Sequence, residues 1–144
     1  MSMISEILDR KGRAVLTIHS GASVLDAIGI MSKANVGALV IQDGDQPDGI
    51  FTERDYLRKI ALKGRSSSNT IVRDVMSSPL ISVSTAESSE VAMETMTECR
   101  CRHLVVTEGG KMAGIISLGD LVKHMLQEKQ AEVEQLAQYI AGSY

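Results

Sequence analysis

Apolar and polar positions along the chain follow two different periods, which predict the order of its helices and strands. Ile4, Ile7 and Leu8 have a helical spacing, and the apolar, β-branched run at 14–18 is typical of a strand. Ser23 precedes a second helical pattern and is a suitable N-cap. The predicted elements are a helix over 1–10, a strand over 14–18, a helix over 24–33, strands over 36–41 and 50–52, and a helix over 55–62.

The same order of patterns returns in the second half of the chain. The run from Gly49 to Asp55 (GIFTERD) has its counterpart 65 residues later, from Gly114 to Asp120 (GIISLGD), and the two halves align at this offset without a gap. Self-similarity of this length indicates a duplicated structural unit. We predict a first repeat over 1–64 that includes the N-terminal helix, a polar linker over 65–70, a second repeat over 71–126 and a helical tail over 127–144.

An apolar stripe follows the predicted tail helix. Leu126, Val133, Leu136 and Ile140 lie on one face of it. Such a stripe packs either on its own module or across a dimer, and self-association is the simpler interpretation. We therefore expect a homodimer.

Composition narrows the range of partners. Aromatic residues make up 3% of the chain, tryptophan is absent and the formal net charge is -3, so neither base stacking nor a general attraction to phosphate backbones is expected. Apolar runs are too short to span a bilayer, and the N-terminus lacks a signal-peptide pattern. The two cysteines are two positions apart, which fits a reducing compartment. We expect a cytoplasmic protein that binds neither nucleic acid nor membrane.

Each copy of the repeated run places a hydroxyl residue at the end of a strand and an aspartate three positions later. Thr52 and Asp55 form this pair in the first copy, and Ser117 and Asp120 form it in the second. Amides at a helix N-terminus attract anions, and the carboxylate can accept hydrogen bonds from paired sugar hydroxyls. The pattern therefore favours a small polar ligand. A second interpretation stays open, in which each aspartate only caps its helix.

The repeated unit, with its Gly-Ile-apolar-Ser/Thr-x-x-Asp ending, resembles a tandem pair of cystathionine-β-synthase (CBS) domains, often called a Bateman module. The segment 72–76 (VRDVM) and the run 102–106 (RHLVV) also resemble that family, and the resemblance covers almost the whole chain. It implies an α+β fold in which two β-α-β-β-α repeats pack about a pseudo-two-fold axis. It also implies two clefts for adenosine-bearing ligands such as AMP, ADP, ATP, NAD(H) or S-adenosylmethionine.

Site A, by this likeness, centres on Asp120, whose carboxylate would take the ribose hydroxyls while Ser117 bonds a ribose or phosphate oxygen. Arg102 and Arg13 are the phosphate candidates, because arginine forms charge-assisted hydrogen bonds with phosphate. The remaining members of site A are Lys11, Gly12 and His103, with Leu16 and Val36 flanking the adenine.

Site B is the pseudo-symmetric counterpart of site A. Asp55 and Thr52 would hold the ribose and phosphate there. Its other members are Arg54, Ser78, Pro79, Ile81, Arg100 and Cys101. The strand beside site B carries Gly37 and Ala38 where site A has an arginine and a histidine, so we expect site A to bind anionic ligands better.

Metal binding and catalysis are not predicted. Cys99, Cys101 and His103 alternate along one strand, but structural zinc needs four ligands and no fourth ligand is evident. Neither a paired-carboxylate site nor a nucleophile beside a base is indicated. We expect no catalytic residue, no metal and no catalytic cofactor.

The chain is thus predicted to be a regulatory module, and not an enzyme, that binds an adenosine nucleotide reversibly. It would signal by changing how its repeats or subunits pack, and an unidentified protein target would receive the signal. Two alternatives stay open. One is a structural dimer or partner-binding subunit whose clefts are empty, and the other, with weaker support, is an enzyme that uses the strand from Cys99 to His103.

Overall fold

Two three-stranded sheets, each with its own helices, make up the chain. A computed structural model describes residues 2–142, so the predicted domain limits at 1 and 144 lie outside the described residues. Its elements are α1 (Ile4–Lys11), β1 (Thr17–Ile18), α2 (Val24–Ala34), β2 (Ala38–Ile41), β3 (Gly49–Thr52), α3 (Glu53–Asp55), a π-helical turn (Tyr56–Ala61), a 3-10 turn (Val72–Asp74), β4 (Ser82–Ser84), α4 (Ser89–Cys99), β5 (His103–Glu108), β6 (Lys111–Ser117) and α5 (Leu118–Gly142).

The sheets have the same topology. Their strand orders are β1-β2-β3 and β4-β5-β6, and in each sheet the first pair is parallel and the second antiparallel. The predicted α+β fold of two β-α-β-β-α repeats is confirmed. The strand predicted over 14–18 is shorter than expected, because only Thr17 and Ile18 pair with β2. The residues before Thr17 connect α1, in the second core, to β1, in the first.

The long helices of the two repeats begin and end alike. The Ser23 hydroxyl accepts a hydrogen bond at the start of α2, as predicted, and the Ser88 hydroxyl does the same for α4. Both helices end at a residue in the left-handed conformation, Asn35 with φ 56° and Arg100 with φ 54°. The chain therefore turns at the same point in each repeat, and Arg100 is the counterpart of Asn35.

Each repeat contributes a segment to the hydrophobic core of the other. Ile4 and Leu8 of α1 are fully buried in the core of the second sheet, whereas Val72 is buried in the core of the first. The glycine that leads each repeated run makes room for these segments: a Cβ at Gly114 would meet the Leu8 side chain at 2.8 Å. This exchange brings the end of α1 to the second copy of the motif.

Helix α5 extends beyond the two cores. Leu121 and His124 are buried, but every side chain from 129 to 142 is exposed. The predicted stripe of Val133, Leu136 and Ile140 thus has no covering surface within residues 2–142. Among residues 2–142, no helix is both long enough and apolar enough to cross a membrane.

Candidate functional site

A cavity of about 680 Å³ lies where β3 and α3 of the first repeat face the segments before β4 and β5 of the second. It contains seven of the eight predicted site B residues, with Ser77 in place of the neighbouring Ser78. Its lining residues are Gly37, Ile50, Thr52, Glu53, Arg54, Asp55, Leu57, Arg58, Lys59, Ser77, Pro79, Leu80, Ile81, Cys99, Arg100, Cys101, Arg102, His103 and Val105. Both repeats therefore supply the walls of site B.

Asp55 is held firmly at the start of α3. Its Oδ2 accepts hydrogen bonds from the amide and the hydroxyl of Thr52, at 3.0 and 3.1 Å, and the Thr52 hydroxyl accepts from the Asp55 amide. Its Oδ1 accepts from the Ser77 hydroxyl at 2.8 Å and lies 3.0 Å from Lys59 Nζ. Thr52 and Asp55 form a capping box, so Asp55 does take part in capping its helix. Asp55 is only 6% exposed, and it lines the cavity.

Basic side chains outnumber acidic ones around site B. Five basic residues line the cavity, against the carboxylates of Glu53 and Asp55. Among residues 2–142, the guanidinium groups of Arg58, Arg100 and Arg102 form no ion pair with a carboxylate. Three cations without a partner make the cavity attractive to a phosphate group.

In site A the aspartate pairs with a lysine from α1, whereas in site B it pairs with a lysine four positions after it. Lys11 Nζ lies 2.6 Å from Asp120 Oδ2 and donates to the Ile115 carbonyl oxygen at 2.7 Å. The same Oδ2 accepts from the Ser117 amide at 2.8 Å, and the Ser117 hydroxyl accepts from the Asp120 amide. Burial by itself would raise the pKa of Asp120, but the Lys11 ammonium and the Ser117 amide outweigh it and hold that pKa below its ordinary value.

Other predicted members of site A lie apart from this pair. Arg13 is bound to the carboxylates of Asp9 and Glu108, each at 3.2 Å. These two carboxylates also raise the pKa of the guanidinium. Leu16 and Val36 are exposed and line neither cavity described here. Gly12 ends α1 with φ 103°, a conformation that favours glycine.

A second cavity, of about 810 Å³, is an open groove along α5. It holds three predicted site A residues, Arg102, His103 and Ser117, but reaches neither Lys11 nor Asp120. Its other lining residues are Gly37, Glu53, Leu118, Gly119, Val122, Lys123, Leu126, Gln127 and Gln130. Arg102 and His103 also line site B, so the arginine assigned to site A from the sequence serves both cavities.

Two titratable groups on β5 and its approach are shifted by burial. Desolvation lowers the pKa of His103, the charge of Lys11 lowers it further, and Asp120 and Glu53 oppose the change. His103 is therefore neutral at pH 7 and brings no charge to a phosphate. Desolvation and the nearby Cys99 raise the pKa of the Cys101 thiol, which keeps it protonated. Residues 2–142 contain no group of three or more His, Cys, Asp or Glu placed to hold a metal ion.

Sequence reasoning missed several residues of site B. Lys59 had a signal, because it lies four positions after Asp55 and faces the same side of a helix. Arg58, three positions after Asp55, had a similar signal, whereas Ser77 had none, since only the fold brings it to the cavity.

Comparison with known proteins identifies the repeated unit. A family model for the CBS domain matches residues 4–62 and 72–127. The chain belongs to the CBS domain family. The resemblance predicted from the repeated motif is thereby confirmed. Tandem CBS domains are regulatory modules, and proteins built from CBS domains alone are generally not catalytic.

Several relatives of this CBS protein cover most of its length. It is 40% identical over 150 residues to the mitochondrial CBS domain-containing protein CBSX3 of Arabidopsis thaliana. The aligned region covers 98% of this chain and 73% of CBSX3. A structure of a protein with CBS domains from Burkholderia ambifaria MC40-6 gives a TM-score of 0.84 at 42% identity, covering 88% of this chain and 95% of that one. A CBS domain protein from Pyrobaculum aerophilum, complexed with AMP, gives a TM-score of 0.72 at 26% identity, covering 82% and 88%.

Proposed function

We propose that this CBS pair is a regulatory module that binds an adenosine nucleotide, AMP, ADP, ATP or NAD(H), reversibly at site B. The observation that carries the proposal is that the site B cavity joins the repeated Thr-x-x-Asp pair to five basic side chains. Its volume of about 680 Å³ is within the ordinary range for small-molecule sites. The AMP bound by the Pyrobaculum relative supports the ligand class.

Each part of the nucleotide has a suitable partner in site B. The phosphates would pair with Arg58, Arg100 and Arg102, because charge-assisted hydrogen bonds to arginine are strong. The base would lie against the apolar wall of Pro79 and Ile81, which belongs to the second repeat. We keep the remaining predicted members, Thr52, Arg54, Ser78 and Cys101, as contacts or neighbours of the ligand.

The ribose would have to exchange with a group that already bonds to Asp55. Each carboxylate oxygen of Asp55 already has two polar partners within the protein. Lys59 is the contact most easily released, because its side chain is 40% exposed. After its release from Asp55, the Lys59 ammonium would remain in the cavity near the phosphates, where its positive charge would offset theirs.

The charges around the cavity lead us to propose site B, and not site A, as the stronger anion site. The sequence favoured site A because its strand carries Arg102, but that residue lines site B as well. Arg13, the other phosphate candidate of site A, is already paired with carboxylates. We retain site A, with Asp120 and Ser117, as the second candidate cleft.

The signal would arise because the ligand contacts both repeats at once. Thr52 and Asp55 come from the first repeat, and Arg100 comes from the second. A nucleotide that binds one packing of the repeats more tightly than another shifts the equilibrium between them. An unidentified protein target would read that shift, and we keep the cytoplasm as the proposed location.

Titration calorimetry with AMP, ATP and NAD(H) tests the proposal. The informative variant is Arg100→Asn, because asparagine tolerates the left-handed backbone and already occupies the matching position, Asn35. The matched control is Arg65→Asn, an exposed arginine outside both cavities. We expect on the order of tenfold weaker AMP binding for Arg100→Asn and no change for Arg65→Asn. Equal affinities for both variants, or absence of heat with every nucleotide, would contradict the proposal.

One observation favours the alternative of a structural or partner-binding subunit with empty clefts. Asp55 is fully hydrogen-bonded within the protein, as a residue that only caps a helix would be. In that case the wild-type chain would give no heat with any adenosine nucleotide, while Asp55 variants would still unfold more readily.

We also propose that the chain forms a homodimer through the exposed stripe of α5. Val133, Leu136 and Ile140 are spaced three and four residues apart, as in helices that pack side by side. Leu136→Glu should lower the mass measured by light scattering to that of a monomer, whereas Gln135→Glu, one position away, should not. A monomeric wild-type chain at high concentration would refute the dimer.

A further inference from the structure

The two cysteines of the chain lie on either side of a tight turn in the wall of site B. Cys99 is the last residue of α4, and Cys101 follows it after Arg100. Cys99 is exposed and Cys101 is half-buried, and both line the site B cavity. A small molecule in the cavity can therefore reach both thiols.

The backbone of this turn holds the two cysteines at a distance that suits a disulfide. Arg100 has φ 54° and ψ 40°, and the Cys101 amide donates to the Met96 carbonyl oxygen at 3.1 Å. A residue with helix-like dihedral angles, of either hand, keeps the Cα atoms on its two sides about 5.4 Å apart. An extended residue would keep them about 7 Å apart. Because a disulfide joins Cα atoms about 4.4–6.8 Å apart, the left-handed turn brings Cys99 and Cys101 within bonding range.

The two thiols also face each other. Burial raises the pKa of the Cys101 thiol, and Cys99 raises it further through its charge and a hydrogen bond between the thiols. These contributions from Cys99 require the two sulfur atoms to lie close together. An exposed cysteine beside a partly buried one suits a division of roles, in which the first attacks a small disulfide and the second resolves the product.

The matching turn of the first repeat has the same backbone conformation without any thiol. Asn35 has φ 56° there, and Ala34 and Val36 occupy the positions of the two cysteines. The fold therefore does not need cysteine at this turn. In the second repeat the turn is also tied to the other wall of site B, because the Arg54 guanidinium donates to the Arg100 carbonyl oxygen. A change in the turn thus reaches two arginines of the cavity.

We propose that Cys99 and Cys101 are a dithiol site that a low-molecular-weight disulfide such as oxidised glutathione converts into an intramolecular disulfide, which weakens nucleotide binding at site B. The Cys99 thiolate attacks the small disulfide and forms a mixed disulfide, and one glutathione thiolate leaves and takes up a proton. The Cys101 sulfur then attacks the Cys99 sulfur, and its proton passes to the second glutathione thiolate as that group leaves. Two electrons move from the protein thiols to the small disulfide, which becomes two thiols.

The effect on the nucleotide rests on the proposed function of site B, whereas the disulfide does not. Bond formation draws the two sulfur atoms from non-bonded contact to about 2.05 Å, so the turn that carries Arg100 must move with them. Because the Arg100 guanidinium is a proposed partner of the phosphates, we expect AMP to bind the oxidised chain on the order of tenfold more weakly. By linkage, AMP should favour the reduced dithiol by the same factor.

Mass spectrometry of the full chain in buffers of reduced and oxidised glutathione tests the disulfide. The oxidised wild type should lose the mass of two hydrogen atoms and no longer react with iodoacetamide. Cys101→Ser, which keeps the exposed thiol, should stop at one glutathione adduct, and Cys99→Ser should form its adduct more slowly. A disulfide is the suitable oxidant because, unlike a peroxide, it leaves the eight methionines unchanged. A wild type that retains a glutathione adduct, or that links two chains, would overturn the dithiol site.

Calorimetry with AMP on the reduced and oxidised wild type tests the effect on the nucleotide. The matched control is Cys99→Ser/Cys101→Ser, whose affinity for AMP should be the same before and after treatment with oxidised glutathione. Equal affinities of the two wild-type forms would overturn the effect of the disulfide and leave the proposed function intact. Absence of heat with the reduced wild type would instead overturn the proposed function, and mass spectrometry alone would then decide whether the dithiol site exists.

Discussion

The two aspartates of the repeated motif should contribute unequally to stability, although they occupy matching positions. The side chain of Asp55 is 8% exposed and accepts hydrogen bonds from Thr52 and Ser77. The side chain of Asp120 is 25% exposed, and its partners are the Ser117 amide and the partly exposed Lys11. We compare Asp55→Ala with Asp120→Ala.

The size of each effect follows from the contacts that are lost. Both variants lose the hydrogen bond from the Thr52 or Ser117 amide to the aspartate carboxylate, which is worth about 1 kcal/mol. Asp55→Ala also leaves the hydroxyls of Thr52 and Ser77 without an acceptor, at about 1 kcal/mol each. It breaks the ion pair with the partly exposed Lys59 as well, worth at most about 1 kcal/mol, so we expect a total of about 3–4 kcal/mol. At Asp120 the further loss is a partly exposed ion pair, worth at most about 1 kcal/mol, which gives a total of about 1–2 kcal/mol.

Urea unfolding followed by circular dichroism measures this difference. For a chain of this length, 1 kcal/mol corresponds to a shift of about 2–4 °C in the melting temperature, so the two variants are resolvable by heat as well. Asp55→Asn serves as the control, since its amide oxygen can still accept from the Thr52 amide and should restore part of the loss. Equal losses, or a larger loss at Asp120, would show that burial of the carboxylate does not set its contribution to stability.

Three further predictions concern pH, thiol reactivity and packing. Burial lowers the pKa of His103 in the folded chain, so as the pH falls the unfolded chain takes up the proton first. The free energy of unfolding is therefore full above about pH 6.5 and falls below it, and His103→Gln should flatten this decline in urea titrations. Iodoacetamide should modify the exposed Cys99 faster than Cys101, whose pKa is raised, and AMP should slow both reactions. Gly49→Ala should lose about 1–3 kcal/mol in thermal unfolding, because the new Cβ would lie 2.9 Å from a carbonyl oxygen, whereas Gly44→Ala meets no atom within 4 Å.

The repeat and its secondary structure were predictable because they depend on local patterns. Ser23 caps α2 as its position predicted, and the offset of 65 residues between Gly49 and Gly114 holds in the packing of both glycines. The strand at 14–18 was predicted too long, since its apolar residues also suit a connection between two cores. Local hydrophobicity does not distinguish these cases.

The charge balance of the candidate sites was not predictable from local patterns, because it depends on how the repeats face each other. Arg102 belongs to the second repeat but lines a cavity whose other wall comes from the first repeat. Arg13 had a partial signal in Asp9, four residues before it, whereas its second partner, Glu108, is brought close only by the fold. The position of Lys11 depends in addition on how far α1 extends.

Mapping AMP on the isotope-labelled chain by NMR shows both whether the nucleotide binds and whether it binds at site B. Binding at site B should shift the amide signals of Thr52 to Asp55 and of Cys99 to Cys101, and should leave those of Ser117 to Asp120 unchanged. Shifts confined to the segment from Ser117 to Asp120, or no shifts at saturating AMP, would contradict it.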